Sequence, residues 1–300
     1  MSRKKIKASG QLPLKIDEGR SRDRNFDQGG RSFYFFDIDD NIFHLDTKIV
    51  LFHKKTKEEL ELSTQDFALV QSFLGDPGHV YENYQIKDLE GVDGSFRNFR
   101  DRPNCKSDDQ IFLKDLKSAL EDGKKEWRGP SWHVFEYAVK NHRPIALITA
   151  RGHHPHTIIR ALNELVYSQL LENSPNYIGV YPVSHPTIRK NILGDPLFKL
   201  STSELKRRAI QTAVKDAFAC FGQNEGHRFG MSDDDVENLK LIEVAMRDLK
   251  VEYPKNAFYL FDTSGAKPIR CELSKEGIVQ RSEGTVSLSK DSKNKQLGLV

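Results

Sequence analysis

Cysteine is scarce: three residues in a chain of 300, Cys105, Cys220 and Cys271, scattered without the spacing of a metal finger. That excludes a disulfide framework and fits free thiols in a reducing compartment. No apolar run approaches the roughly 18 residues that a membrane helix needs. The start, Met1-Ser2-Arg3-Lys4-Lys5, is basic but has no hydrophobic stretch behind it, so it does not read as a secretory signal. Together these absences point to a cytoplasmic protein with no membrane partner.

A charge excess of one sign is also missing once the charge is located. Residues 1–30 hold eight basic and four acidic side chains, a surplus of four; the whole chain carries +3, which leaves about −1 for residues 31–300. The basic character is therefore a property of the tail, read either as solvated chain or as a contact for an anionic partner.

What is present is an alternation. Ser32–Asp37 (SFYFFD) and Pro144–Thr149 (PIALIT) are unbroken apolar runs, as expected of strands buried on both faces of a parallel sheet. Tyr177–Val183, His227–Met231 and Ala257–Phe261 read as further strands. Between them lie amphipathic helices: Trp132–Lys140, roughly His156–Leu171, one opened by the capping spacing Ser201-Thr202-Ser203-Glu204, and Val236–Leu249. This rhythm predicts an α/β protein with three layers and a mostly parallel, Rossmann-like sheet. Residues 31–42 and 133–285 form its core, 1–30 a flexible basic tail and 286–300 a flexible C-terminus, with a strand pair at Ile269–Leu273 and Gly277–Arg281.

Residues 43–132 break the rhythm and read as an insertion: a hairpin over Thr47–Leu62 turning at Lys55–Lys57, a loop-rich stretch, then a short helix near Ile111–Leu120. Its aromatic and basic residues, among them Tyr81, Tyr84, Phe96, Arg97, Phe99, Arg100 and Arg102, could stack a ring and bind an extra anion, or form the insertion's own core with a charged rim.

Ligands of such sheets bind beyond the carboxyl ends of the strands. Asp37-Ile38-Asp39-Asp40-Asn41 leaves the first strand there, and Ser232-Asp233-Asp234-Asp235 leaves a later one. A single acidic run can be explained as a helix cap. Two runs at two buried strand ends, with no adjacent cation, point instead to a site for a hard cation such as Mg²⁺, which prefers oxygen ligands.

In this order, DxDxN after strand one, a strand-end threonine, a lysine and a later acidic run, the chain resembles the haloacid-dehalogenase-like superfamily over Asp37 to Asp235. The resemblance implies a Mg²⁺-dependent phosphatase. Asp37 would be the nucleophile, Asp39 the general acid and base, Thr149 a phosphoryl ligand and Lys206 the neutralising cation, with Lys190 as its competitor. Asp37, Asp233 and Asp234 would hold the metal together with the Asp39 backbone carbonyl. The insertion over residues 43–132 would be the substrate-selecting cap. Asn41 and Asp40 depart from the family pattern, in which Thr or Val, and often Gly, stand.

Arg151 is expected as an anion contact because its fork matches phosphate, and Arg97 and Arg100 as further substrate contacts. His153, His154 and His156 admit three readings: a transition-metal site, a substrate contact, or a solvated helix start. Asp262-Thr263-Ser264 imitates the first motif but reads as a turn. The expected substrate is a small phosphorylated metabolite or a nucleotide. A nucleic-acid end-processing protein and a non-catalytic module on the same fold are the alternatives.

Overall fold

The computed structural model describes residues 20–283, apart from 88–90, 124–125 and 266. The expectations for residues 1–19 and 286–300 lie outside the described residues.

Strand β1 (Ser32–Phe36) is buried at all five positions. Its side chains alternate between two cores, Phe33 and Phe35 into one, Tyr34 and Phe36 into the other. A strand can do this only at the centre of a layered sheet, where both faces are covered. The remaining strands are β2 (Ile49–His53), β3 (Glu59–Leu62), β4 (Tyr84–Gln85), β5 (Pro144–Thr149), β6 (Asn176–Pro182), β7 (Arg228–Asp233), β8 (Ala257–Asp262), β9 (Ile269–Ser274) and β10 (Gly277–Glu283). The main sheet has seven strands in the order β10-β9-β8-β7-β1-β5-β6. Pairings from β8 through β6 are parallel, whereas β9 and β10 add antiparallel to the β8 edge. The sheet is therefore mixed, and the strand pair near the C-terminus is part of it.

The helices are α1 (Thr64–Val70), α2 (Ile111–Glu121), α3 (Trp132–Lys140), α4 (Pro155–Tyr167), α5 (Thr202–Phe221) and α6 (Val236–Glu252). Helix α5 buries Leu205, Ala209, Ile210, Ala213, Val214 and Ala217 along one stripe, and with α6 it covers the Phe33/Phe35 face. Helices α2, α3 and α4 cover the other face. Among the described residues no helix is long and apolar enough to cross a membrane.

The expected insertion divides in two. Strands β2, β3 and β4 form a separate three-stranded sheet, with Ile49, Leu51, Leu62, Phe67 and Phe99 as its small core. Phe43, Leu45, Phe112, Leu113, Leu116 and Trp127 instead join the core beneath the main sheet. The reason is α2, whose buried stripe packs against the same layer as α4.

The tail expectation also needs correction, because order begins before Gly30. Asp23 and Arg143 form an ion pair of 2.6 Å with both side chains buried. Asp23 Oδ1 also accepts a hydrogen bond from the Ser32 backbone at 2.9 Å, and Asn25 Nδ2 donates to Gly226 O at 2.9 Å. Gly30 runs so close to that segment that a Cβ there would lie 2.5 Å from Gly226 O. Residues 20–30 are strapped across the amino ends of the strands by polar contacts, which leave no apolar periodicity to read.

Candidate active site

The β1 strand end is shaped by Asn41. Fully buried, its Nδ2 donates to Asp37 O, Ser232 O and Ser232 Oγ at 2.9–3.1 Å. Its Oδ1 accepts from Ser131 Oγ at 2.7 Å and Thr263 Oγ1 at 2.9 Å. One side chain thus joins the ends of β1, β7 and β8, a task that uses both the donors and the acceptor of an amide. Thr263 belongs to the Asp262-Thr263-Ser264 turn, so that segment supports the loop. Asp40 has φ 56°, a left-handed conformation that Gly adopts freely and Asp tolerates. Its carboxylate accepts from Thr64 Oγ1 at 2.6 Å and Gln65 Nε2 at 3.1 Å, both at the start of α1, and meets His44 Nδ1 at 3.0 Å. Burial opposes its charge, but these bonds outweigh burial and hold its pKa below the usual carboxylate value. No pattern in the sequence marks this tie between the loop after β1 and the insertion.

Parallel pairing of β1 with β7 sets Phe36 beside Ser232, so Asp37 and Asp233 emerge together. One oxygen from each of Asp37, Asp233 and Asp234 lies within 4.8 Å of the others. Lys206, 2% exposed, reaches in from the second turn of α5 to Asp233 Oδ2 at 3.1 Å and Asp37 Oδ1 at 3.3 Å. Lys190 is exposed on the separate turn Ile188–Ile192, so Lys206 is the lysine at the cluster.

The acidic run does two jobs. Asp235 caps α6, accepting from the Glu237 and Asn238 backbones at 2.8 and 2.9 Å. Asp233 Oδ1 accepts from Asp235 N and Asn238 Nδ2 at 3.0 and 3.1 Å, which leaves Oδ2 to Lys206. Asp234 has no such network: burial first, then Asp233 and Asp40, push its pKa up to about 7. Burial also raises the Asp37 pKa well above the usual value; Lys206 pulls it down, but Asp233, Asp39 and Asp234 push the same way as burial. For Lys206 burial disfavours the charge, yet Asp233 and Asp37 prevail, so its pKa is raised and it remains an ammonium.

These facts test whether a metal fits. Asp37 Oδ1 is buried without a hydrogen-bond partner, near Lys206 but not aligned with it. Three hard oxygen donors in one small volume, two of them with raised pKa values, form a donor set suited to a divalent cation.

Asp39 faces the other way. Arg151 Nε donates to its two oxygens at 3.1 and 2.9 Å, and Nη2 donates to Oδ1 at 2.6 Å. The guanidinium is fully buried, with the Phe99 ring at 4.8 Å and the Phe112 ring at 4.4 Å, and it also donates to Thr47 Oγ1 at 2.9 Å. Arg151 is expected at an anion, and the anion it meets is Asp39. Thr149 is fully buried at the end of β5, and its Oγ1 accepts from the Arg151 backbone at 3.2 Å.

A cavity of about 660 Å³ opens beside the cluster, lined by Asp37, Asp39, Asp234 and Lys206 and by part of the insertion. Arg100 lines it and donates to Ser184 O at 3.2 Å. Arg97 does not: its fork is engaged by Glu59 at 2.9 and 2.7 Å, on the outer side of β3. Arg102 is exposed, so the three arginines do not converge. His154 caps α4, accepting from His156 N at 3.2 Å, the helix-start reading. His153 is buried apart from it, and among the described residues no metal-binding group forms at these histidines.

No protein-family model, no curated protein and no solved structure matches the chain. What the structure establishes is a mixed α/β fold of Rossmann-like layout with a buried acidic cluster that can hold a divalent cation.

Proposed function

We propose that the protein is a Mg²⁺-dependent phosphatase of the haloacid-dehalogenase type, hydrolysing a phosphomonoester through an aspartyl-phosphate on Asp37. The observation that carries this reading is the meeting of Asp37, Asp233 and Asp234 within 4.8 Å, with Lys206 on two of them. A carboxylate attacks a phosphate dianion only when positive charge screens their repulsion. Lys206 supplies part of that charge, and a cation held by the three aspartates would supply the rest.

An Asp37 oxygen forms a bond to phosphorus as the bond to the leaving oxygen breaks. Asp39 gives that oxygen its proton, then takes a proton from the water that attacks the aspartyl-phosphate. Phosphate leaves and Asp37 is restored. Arg151 orients Asp39 through three hydrogen bonds from Nε and Nη2, and Asn41 fixes the loop that carries both carboxylates. Thr149 supports the turn through the Arg151 backbone, and Arg100 is the cation placed to meet a bound ester. Arg97 is held by Glu59, so the nucleic-acid end reading loses its convergent arginines.

Hydrolysis of an aryl phosphate, followed before and after chelation, tests the reading. Turnover should vanish with chelator, return with Mg²⁺, and leave phosphate on Asp37 in a rapid-quench mass spectrum. Turnover that survives exhaustive chelation would remove the metal site, and a quench showing no phosphoenzyme would remove the nucleophile.

A further inference from the structure

Phe198 is the residue that the phosphatase reading leaves unexplained. It is a bulky aromatic side chain, 41% exposed, on the wall of the catalytic cavity. Its φ is 54°, a left-handed conformation that is a true outlier for such a residue. Strain of this kind persists only where the surroundings over-determine it, and it concentrates at ligand sites.

The surroundings here do over-determine it. Asp195, buried, accepts from Arg189 Nε at 3.0 Å and Nη2 at 2.6 Å. It also accepts from the backbones of Lys199 at 2.8 Å and Leu200 at 3.3 Å, the two residues that follow Phe198. The Arg189 guanidinium then lies 4.9 Å from the Phe198 ring centre. A rigid polar knot thus presents a ring to the cavity. From the insertion side, Ile49, Phe67, Phe96 and Phe99 line the same space.

Charge narrows the occupant further. The charged residues lining the cavity are five aspartates (37, 39, 40, 234 and 235) against Arg100, Arg189 and Lys206. Arg189 is paired with Asp195, and Lys206 with Asp37 and Asp233. A divalent cation and a phosphate dianion cancel each other, so a second anionic group would enter a site that is already negative.

We propose that the cavity takes a phosphomonoester whose leaving group ends in a flat, uncharged ring, and that Phe198 selects it. This rests on the phosphatase reading for the fate of the ester, but binding can be measured without turnover. The test uses phenethyl phosphonate and propyl phosphonate, which differ in the ring and cannot be hydrolysed, titrated calorimetrically with Mg²⁺ present. Wild type should bind the ring-bearing compound about tenfold more tightly, the scale of one aromatic stacking contact. Phe198→Ala should bring the two ligands to within about twofold, and Phe198→Tyr should keep the preference, since only the ring is at stake. Melting temperatures of both variants confirm that the fold is intact.

Equal affinities on wild type, or a preference retained by Phe198→Ala, overturn the proposal. Turnover of cytidine monophosphate against ribose phosphate, and of phenethyl against propyl phosphate, then separates a nucleobase from a simple aryl ring with the leaving alcohol matched within each pair. Either preference supports the proposal and names the ring. A ring preference in binding without turnover of any ester would sink the phosphatase reading alone. Turnover without ring preference would sink this one alone.

Discussion

Asp37 and Asp39 leave the same strand two residues apart, one on the β7 side of the loop and one facing β5. On the β7 side three carboxylates share one ammonium, and burial raises the pKa of Asp37 and Asp234. On the β5 side a single carboxylate receives three N–H bonds from an arginine held between two aromatic rings. The first arrangement is short of positive charge; in the second the carboxylate is matched by a guanidinium, whose Nη1 is left without a hydrogen-bond partner. Two carboxylates of one chemistry thereby stand in different surroundings, one whose charge burial disfavours and one paired to a buried guanidinium. The under-compensated side is where a cation and a phosphate would bind, because only there does added positive charge relieve existing repulsion.

Replacing each carboxylate by its amide should break the comparison in opposite senses. Asp37→Asn should reduce turnover by at least about 10⁴-fold, the scale of losing a nucleophile. It should also raise the melting temperature of the metal-free protein by a few degrees, since about 1 kcal/mol of relieved repulsion moves a domain of this size that far. Calorimetry in chelator decides: a fall would mean that Asp37 is as well compensated as Asp39. Asp39→Asn should lose about 10²–10⁴-fold in turnover, the range for a positioned acid and base. Its melting temperature should fall, because a buried guanidinium loses a charged acceptor. If both amides shift the melting temperature in the same direction, the contrast between the two sides is wrong.

Arg151→Met sharpens the second half. Removing one partner of a buried pair typically costs about 3–5 kcal/mol, and partial exposure of Asp39 places this one nearer 3. The double variant Asp39→Asn with Arg151→Met should be less destabilised than the sum of the two, with a coupling of about 1–3 kcal/mol by denaturant unfolding. Strict additivity would show that the two side chains touch without depending on each other.

The sheet and its helices were legible because apolar runs and helical stripes record which face of an element is buried. Ser32–Phe36 and the Leu205 to Ala217 stripe could be read with no knowledge of their partners. The acidic strand ends were legible for a related reason: charges placed next to buried strands have few purposes. Polar partners were not legible, because tertiary proximity chooses them. Arg151 was expected on a phosphate and is on Asp39, 112 positions away; Arg97 was expected in the pocket and is on Glu59, 38 positions away. Asp23 is paired with Arg143, and with that pair residues 20–30 became structure where a tail was expected. Phe198 shows the same limit for an apolar residue, since its meaning lies in a backbone angle and an arginine beneath it.

His153 stands behind the compensated side and carries the smallest expected effect. It is fully buried beside Phe112, and neither ring nitrogen has a hydrogen-bond partner among the described residues. Burial first, then the neighbouring charges of Arg151 and Arg100 and the His185 ring, hold its pKa well below the ordinary 6.5. The folded protein therefore keeps this ring neutral at a pH where the unfolded chain takes up a proton. Because the unfolded state binds more protons, stability rises with pH through that window. The contribution is complete above the unfolded value of 6.5 and is lost as pH falls below it. His153→Leu removes the titration and leaves no hydrogen bond unmade, so at pH 8 it should match wild type within about 1 kcal/mol. At pH 5 it should be the more stable of the two by roughly 1–2 kcal/mol relative to that baseline, each pH unit of unmatched protonation being worth about 1.4. Urea midpoints at the two pH values supply the measurement, and groups titrating elsewhere cancel between the two proteins. Parallel pH profiles would mean that the folded protein protonates His153 as readily as the unfolded chain does. The compensated side would then tolerate a further positive charge beside Arg151, which a site already complete in its charges should not.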